Sequence, residues 1–446
     1  MLVAENDCSK ACNALLSNPP LEPTEDLLAV MSGLHPRNSC TFDTSNLEDR
    51  LERIPEFTGA EVNEAMLSFK RSSSAGLSGL RPGHILSLLD SKNAKCLLHI
   101  LGVLASRLAN FELPPELAPY LAGASLIAIQ KPAGGVRPVA CGDAIRRLTS
   151  KLMLKRVLPL VSPKLLPTQL GISVPAATEI IFHRVASQIA NSTDDQKTFL
   201  VLDLKNAFNC IDRSCIMEAV MKYAPSLARW FLWCYSVPSR LCFGKFQLTS
   251  EQGVQQGDPL GSLLFALGIH DCVVNVSLTP GVLWSGWYAD DATIQAPLPT
   301  LDPLLLSLSG ALLKRNIFIN PRKTKVICPN VAHIDSFPSL SGFLKVPLSE
   351  GFELLGGAFP GVALDNLLEE RLNSFTRLCE RIVLLPEAHL SYTLLRSCTY
   401  AARANHILRM VPPRLLREWN AKLSSTLRST FAKILESPID DMVAWG

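Results

Sequence analysis

The sequence predicts an α+β fold in which a mixed region of strands and helices runs to about residue 360 and an all-helical segment follows it. Three observations carry this. Residues 124–129 (ASLIAI) and 199–202 (FLVL) are apolar runs with the length and composition of buried strands. Residues 284–288 and 292–296 read as two strands joined by a turn that holds two adjacent acids. Beyond Gly361, the residues Leu364, Leu368, Leu372, Phe375, Leu378 and Ile382 recur three or four apart, as one helix face requires.

The elements follow in order along the chain. Residues 8–16 carry a short helical pattern, and Pro19, Pro20 and Pro23 mark a loop after it. An amphipathic helix is expected over 59–69, ended by the Ser- and Gly-rich stretch 72–79. Helices are expected over 84–89 and 95–110. The 124–129 strand, a turn at Pro132, Gly134 and Gly135, and a second strand at 136–140 make a hairpin with Lys131 and Arg137 at its ends. Asp143 can cap the next helix, on which Ile145, Leu148 and Leu152 form an apolar stripe. Arg147, Lys151 and Lys155 recur every four residues on a different face of it. Helical patterns at 214–223 and 226–235 precede a Gly/Gln/Pro loop at 253–260 and a buried helix at 262–274. A final helix is expected over 391–409, stopped by Pro412 and Pro413.

With 446 residues, 48% of them hydrophobic, the chain can bury a sizeable core, which excludes wholesale disorder. No uninterrupted apolar run reaches the ~18 residues of a membrane-spanning helix, and no basic segment followed by an apolar one opens the chain. An intracellular protein without a membrane partner is the expectation. Thirteen scattered cysteines, none in a C-x-x-C pair, read as reduced thiols. Net charge is only +3, but Lys131, Arg137, Arg146, Arg147, Lys151, Lys155 and Arg156 face a single acid, Asp143, within 26 residues. Such a patch suits phosphates and equally suits a solvated helix face.

The chemistry concentrates on three carboxylates. Tyr288-Ala289-Asp290-Asp291 lies between two apolar strands, where adjacent carboxylates repel each other unless a divalent cation relieves them. Asp203 ends another apolar strand 87 positions earlier. If the strands are neighbours, three carboxylates converge, as a two-metal phosphoryl-transfer site needs.

These residues also resemble a known family. The run Leu202-Asp203-Leu204-Lys205-Asn206-Ala207-Phe208-Asn209 is similar to the first catalytic motif of reverse transcriptases, the run from Gly253 to Phe265 resembles the second, and Tyr-Ala-Asp-Asp at 288–291 resembles the third. Lys131-Pro132 through Arg137-Pro138-Val139-Ala140, Ile145-Arg146-Arg147-Leu148, Ser74 to Leu80, Asn320-Pro321-Arg322-Lys323-Thr324-Lys325 and Leu354-Leu355-Gly356 give the resemblance a non-LTR retrotransposon character. It spans roughly residues 60–360, and the motifs stand in the family's order.

The resemblance implies a right-hand polymerase fold and RNA-directed DNA synthesis. Residues 1–58 would be an N-terminal extension, 59–160 fingers, 161–360 a palm with inserted finger helices, and 361–446 a helical thumb. Asp203, Asp290 and Asp291 would hold two Mg²⁺ ions, with Mn²⁺ as a substitute, and Lys323 would protonate the leaving pyrophosphate. Lys131 and Arg137 would grip the triphosphate. Leu204, Ala207, Gln256, Gly257, Tyr288 and Ala289 would shape the nucleotide pocket, and Phe208 would exclude a 2′-hydroxyl. Arg147, Lys151 and Lys155 would follow the nucleic-acid backbone. Expected partners are an RNA template, a DNA or RNA primer and deoxynucleoside triphosphates. The competing expectations are an RNA-dependent RNA polymerase, which generally lacks an aromatic ring at the position of Phe208, and an inactive or domesticated copy that only binds nucleic acid.

Overall fold

The computed structural model describes residues 7–436 apart from Asn18, residues 39–41, residues 132–133 and Thr399. The expected turn residue Pro132 therefore lies outside the described residues. The strand Phe199–Leu202 occupies the middle of a five-stranded sheet, in the order Leu344–Pro347, Lys325–Cys328, Phe199–Leu202, Asp291–Gln295, Trp284–Tyr288. All neighbours are antiparallel except the parallel pair Lys325–Cys328 and Leu344–Pro347. Its four apolar residues explain the central place, because both faces are covered. Leu200 and Leu202 point into one core and Phe199 and Val201 into another.

The first core is built on the helices Arg213–Tyr223, Ala228–Tyr235 and Gly261–Leu278. The second joins the sheet to the helix Ala177–Asn191 and to the helices after residue 361. Gly261–Leu278 is long and apolar enough to cross a membrane by length and composition, which departs from the expectation that no apolar run reaches that length. Two thirds of it is buried here, with its apolar residues forming the centre of the first core.

The expected hairpin forms one side of a second sheet. Ala124–Gln130 pairs antiparallel with Val136–Gly142 and, through its first residues, parallel with Ser239–Phe243, which pairs with Phe246–Ser250. Those last two strands were not expected. Where inserted helices were read, the chain runs through two helices and then sends this hairpin into the sheet of the 124–142 region.

Asp143 caps the helix Ala144–Leu165 as expected, its Oδ1 accepting from the Ile145 amide at 3.0 Å. Of the row Arg147, Lys151 and Lys155, expected to be an open face, Lys155 is exposed and Arg147 and Lys151 are half-buried. The row packs against the helix Gly59–Leu67 and the loop after it. Lys151 Nζ donates to Ser68 Oγ at 2.7 Å and lies 4.4 Å from the centre of the Phe69 ring. Arg147 donates to the Ser74 carbonyl and sits over the same ring. Lys155 pairs with Glu64 at the surface. The physical reason is that Phe69 offers a ring face to which two cations are drawn, and their stems bury apolar surface on the way.

After residue 361 the helices Val362–Val383, Ala388–Cys398, Tyr400–Met410 and Arg417–Leu435 close a helical layer over the second core. Two helices stand where one was expected over 391–409. The N-terminal residues are part of the same body. Cys12, on the helix Cys8–Leu16, is buried against that helical layer, and Met31, on the helix Glu25–Leu34, is buried against the hairpin sheet.

Candidate active site

The antiparallel register fixes where the carboxylates meet. Leu202 pairs with Ala292 and Tyr288 with Asp291, so Asp203 and the turn at 289–290 stand at the same end of adjacent strands. Asp203, Asp290 and Asp291 line one cleft of about 760 Å³. Asp203 and Asp291 also line a second cleft, of about 380 Å³, together with Lys323, Leu354, Leu355 and Gly356. The carboxylates thus stand on a ridge between two recesses.

Secondary contacts hold this ridge. Asp203 Oδ2 accepts from Asn320 Nδ2 at 2.8 Å, the Asp203 carbonyl accepts from the Asn320 amide at 2.8 Å, and the Asp203 amide donates to Thr324 Oγ1 at 3.2 Å. Lys323 Nζ lies 3.7 Å from Asp203 Oδ1. In the catalytic turn, Ala289 has φ +54°, an unfavourable conformation for a residue with a Cβ. The buried Gln169 amide fastens it: the Ala289 N–H donates to Gln169 Oε1 at 3.0 Å, and Gln169 Nε2 donates to the Ala289 carbonyl at 3.2 Å. Gly171 permits the approach, since a Cβ there would run into the Ala289 nitrogen.

The ridge is electrostatically loaded. Burial, then the neighbouring Asp290 and Asp203, push Asp291 up to about 7, although its side chain still faces solvent. Asp290 is raised as well, by burial first and then by Asp203. Opposite them, burial and the nearby Lys323 and Arg137 push the Lys131 ammonium down. One wall therefore carries excess negative charge and the other excess positive charge. A group with cations and phosphates together fits such a cleft. Among the described residues no three His, Cys, Asp or Glu donors already form a ligand cage around a single point.

The cleft gathers most of the expected site residues: Lys131, Arg137, Leu204, Ala207, Phe208, Gln256, Gly257 and Lys323 line it with Asp203, Asp290 and Asp291. Phe208 is half-buried, and its ring stacks on Phe265 with centroids 4.5 Å apart. Gly257 has φ +123°, and a Cβ there would meet the Ala140 carbonyl, so only glycine lets this loop close against the hairpin. Tyr288 and Ala289 do not line the cleft. Ala289 is committed through its backbone to Gln169, and Tyr288 is 37% exposed. Arg147, Lys151 and Lys155 are also absent from the lining, for the packing reason given above.

Several contributors were missed. Arg146, read as part of a surface patch, is fully buried and paired with Asp258 at 2.9 Å, with Tyr235 Oη at 3.1 Å and Gln255 as further partners. Burial alone would lower its pKa, but the Asp258 carboxylate more than offsets this and holds it raised. Arg213 is equally buried and donates to the Gly253, Tyr235 and Ser250 carbonyls. These two cations brace the 253–258 loop from behind. The Asp258 in the loop motif was the one available signal for Arg146; nothing local signalled Gln169.

A family model described as Reverse transcriptase (RNA-dependent DNA polymerase) matches residues 129–359, more than half of the chain, and takes in every catalytic motif named above. The chain belongs to the reverse transcriptase family. The fold is accordingly the right-hand polymerase fold of reverse transcriptases, and the match takes in the carboxylate sheet. Two curated reverse-transcriptase relatives come from non-LTR elements. The "Retrotransposable element SLACS 132 kDa protein" of Trypanosoma brucei gambiense is 26% identical over 225 residues, 49% of this chain and 18% of that protein. The "Retrovirus-related Pol polyprotein from type-1 retrotransposable element R2" of Popillia japonica is 23% identical over 228 residues, 47% of this chain and 32% of that one. The match thus covers under a third of either relative's length. Among solved structures, apo telomerase from Candida tropicalis aligns with a TM-score of 0.41 and 12% identity over 72% of this chain and 65% of that one. Telomerase from Candida albicans, in complex with a fragment of telomeric RNA, aligns with a TM-score of 0.38 and 13% identity over 73% and 62%.

Proposed function

We propose that this chain is an RNA-directed DNA polymerase of the non-LTR retrotransposon type, adding deoxynucleotides to a primer 3′-hydroxyl on an RNA template. The observation that carries this is the single cleft in which the three aspartates face Lys131, Arg137, Phe208, Gln256 and Lys323. Asp203 and Asp290 would hold two Mg²⁺ ions, for which Mn²⁺ can substitute, with Asp291 as their neighbour. When bound, the ions supply charge neutralisation for the attacking and leaving oxygens. The chain's own residues do the rest. Arg137 and Lys131 bind and orient the triphosphate from the opposite wall, the first as a planar fork and the second as a point charge. Lys323, beside Asp203, is placed to give a proton to the departing pyrophosphate. The flat ring of Phe208, stacked on Phe265, would lie under the sugar and exclude a 2′-hydroxyl. The smaller recess on the other side of the ridge would receive the primer end.

The same proposal covers the division into an extension at 1–58, fingers at 59–160, palm at 161–360 and thumb at 361–446, and an intracellular location. The test is primer extension by the purified protein on a poly-ribonucleotide template with Mg²⁺, offered deoxyribonucleotides and ribonucleotides in turn. Deoxyribonucleotide-selective, template-dependent extension is the expected result. Preferential use of ribonucleotides would favour an RNA polymerase, and binding without synthesis a silent copy.

A further inference from the structure

The N-terminal segment reaches the cleft that the preceding reading assigns to the nucleotide. Leu34 ends the helix Glu25–Leu34, lies more than 90 residues from the next lining residue in sequence, and lines the same cleft as Arg137, Phe208 and Asp290. Its route there is built rather than incidental. The Leu21 amide donates to the Ala128 carbonyl at 3.0 Å, which fastens the start of the segment to the hairpin sheet. Thr24 caps the helix, and Met31 is fully buried against Leu126, Ala140 and Phe243. Beyond Leu34, the Asn38 amide donates to Glu251 Oε2 at 3.2 Å. The segment therefore spans from the fingers sheet to the loop that follows it in the palm.

At the far end of that span the Leu34 carbonyl makes two specific bonds. Asn206 Nδ2 donates to it at 2.8 Å and Asn209 Nδ2 at 3.1 Å, and Asn209 Nδ2 also reaches Asn206 Oδ1 at 3.0 Å. Asn206 and Asn209 bracket Phe208 in the turn that follows the catalytic Asp203. Asn206 holds φ +50°, a conformation asparagine tolerates better than most residues with a side chain. Asn209 is 5% exposed, so its amide donors need protein partners. Leu34 is one of them.

We infer that Leu34 is a wall of the nucleotide pocket and, through its carbonyl, the anchor that holds the Asn206–Asn209 turn and so sets the position of Phe208. The N-terminal segment is then a specificity element of the polymerase site, positioning the sugar-reading ring. The inference rests on the cleft being the nucleotide site, and the measurements separate the two claims.

The variants are Leu34→Ala, which empties the wall, and Leu34→Trp, which fills the pocket while keeping the carbonyl. Asn209→Ala removes one of the two anchoring bonds. Each is checked for folding by circular dichroism. Two readouts are taken on the full chain: steady-state primer extension, and the rise in melting temperature caused by Mg²⁺–dATP, which reports binding without synthesis. Leu34→Trp should raise the KM for deoxynucleotides on the order of tenfold or more with primer–template affinity unchanged, and should abolish the dATP-dependent rise. Asn209→Ala should narrow the preference for deoxy- over ribonucleotides, and Leu34→Ala, which keeps the carbonyl anchor, should raise the KM for both kinds of nucleotide alike. If wild type shows the dATP-dependent rise but makes no DNA, the polymerase reading fails, and the thermal readout of Leu34→Trp still decides the pocket claim. Folded variants with wild-type KM, sugar preference and thermal response overturn the inference, as does a wild type with no dATP-dependent rise.

Discussion

Asp291 shows what the site demands of single residues. Burial and two neighbouring carboxylates push it up to about 7, and Asp290 moves the same way. A carboxyl with a raised pKa binds its proton more tightly in the folded than in the unfolded chain, so it favours folding at low pH. That contribution fades as pH rises from about 4, the unfolded value, through 7. The metal-free protein should therefore lose melting temperature between pH 5 and 8. Asp291→Asn should flatten that loss and raise the melting point at pH 8 in chelator by roughly 1–3 °C, allowing for solvent at the cleft. It should also weaken stabilisation by Mg²⁺. A variant less stable than wild type in chelator would contradict the repulsion argument. Phe208 gives a second prediction. One face packs on Phe265 while the side chain lines the cleft, so Phe208→Val should cost about 1–3 kcal/mol of stability, less than a fully buried aromatic. A lost clash of ~3 kcal/mol would also relax sugar discrimination by over a hundredfold. Matched incorporation of ribo- and deoxyribonucleotides measures it; an unchanged ratio in a folded variant removes the gate.

At the scale of elements, the basic row on Ala144–Leu165 changes meaning between sequence and structure. Periodicity alone placed Arg147, Lys151 and Lys155 on one face, correctly, but could not say what that face meets. It meets Phe69, Ser68, Ser74 and Glu64. Arg147→Ala with Lys151→Ala should thus lower the melting temperature by a few degrees, roughly 1–2 kcal/mol for two cation–π contacts with their hydrogen bonds. The salt dependence of nucleic-acid binding should stay as in wild type, whereas loss of phosphate contacts would flatten it by about one per cation. A flatter slope without loss of stability would support the nucleic-acid role instead. The same contrast explains what was legible. The central strand and the hairpin were readable because Phe199 to Leu202 is apolar throughout and Ala124 to Ile129 is apolar but for Ser125. The strands Ser239–Phe243 and Phe246–Ser250 were not, because Arg240, Lys245, Gln247 and Thr249 break any apolar run and the partner strand lies over 100 residues away. The aspartates and Phe208 were legible because their motifs are local. The Gln169 clamp, the Arg146–Asp258 pair and the Leu34 carbonyl were not, since each joins residues that only the folded chain brings together.

For the whole molecule, the helix Cys8–Leu16 ties two separate regions together. Cys12 is buried in the core of the C-terminal helices, and Arg381 and Arg403 donate to Leu15 and Asn13 from that side. From the other side Asp7 accepts from Ser72 and pairs with Lys70 at 3.3 Å, in the loop that follows the helix Gly59–Leu67. Removing residues 1–17 exposes the face of the C-terminal helices that Cys12 covers and frees the 70–74 loop. Truncated protein should melt several degrees lower and release primer–template faster, read by single-turnover challenge with a trap; wild-type release would show that the helix only covers the C-terminal helices. The two halves of the candidate site, carboxylates on the five-stranded sheet and cations on the hairpin of the other sheet, depend on such ties to line one cleft. That convergence is the central claim, and it is tested most directly by comparing wild type with Asp290→Asn in primer extension on an RNA template with Mg²⁺, at primer–template concentrations that saturate both. The account predicts DNA synthesis by wild type and a fall of at least about a thousandfold in the variant, more than ~4 kcal/mol of lost transition-state stabilisation, with binding unchanged. Equal rates in the two proteins would contradict it.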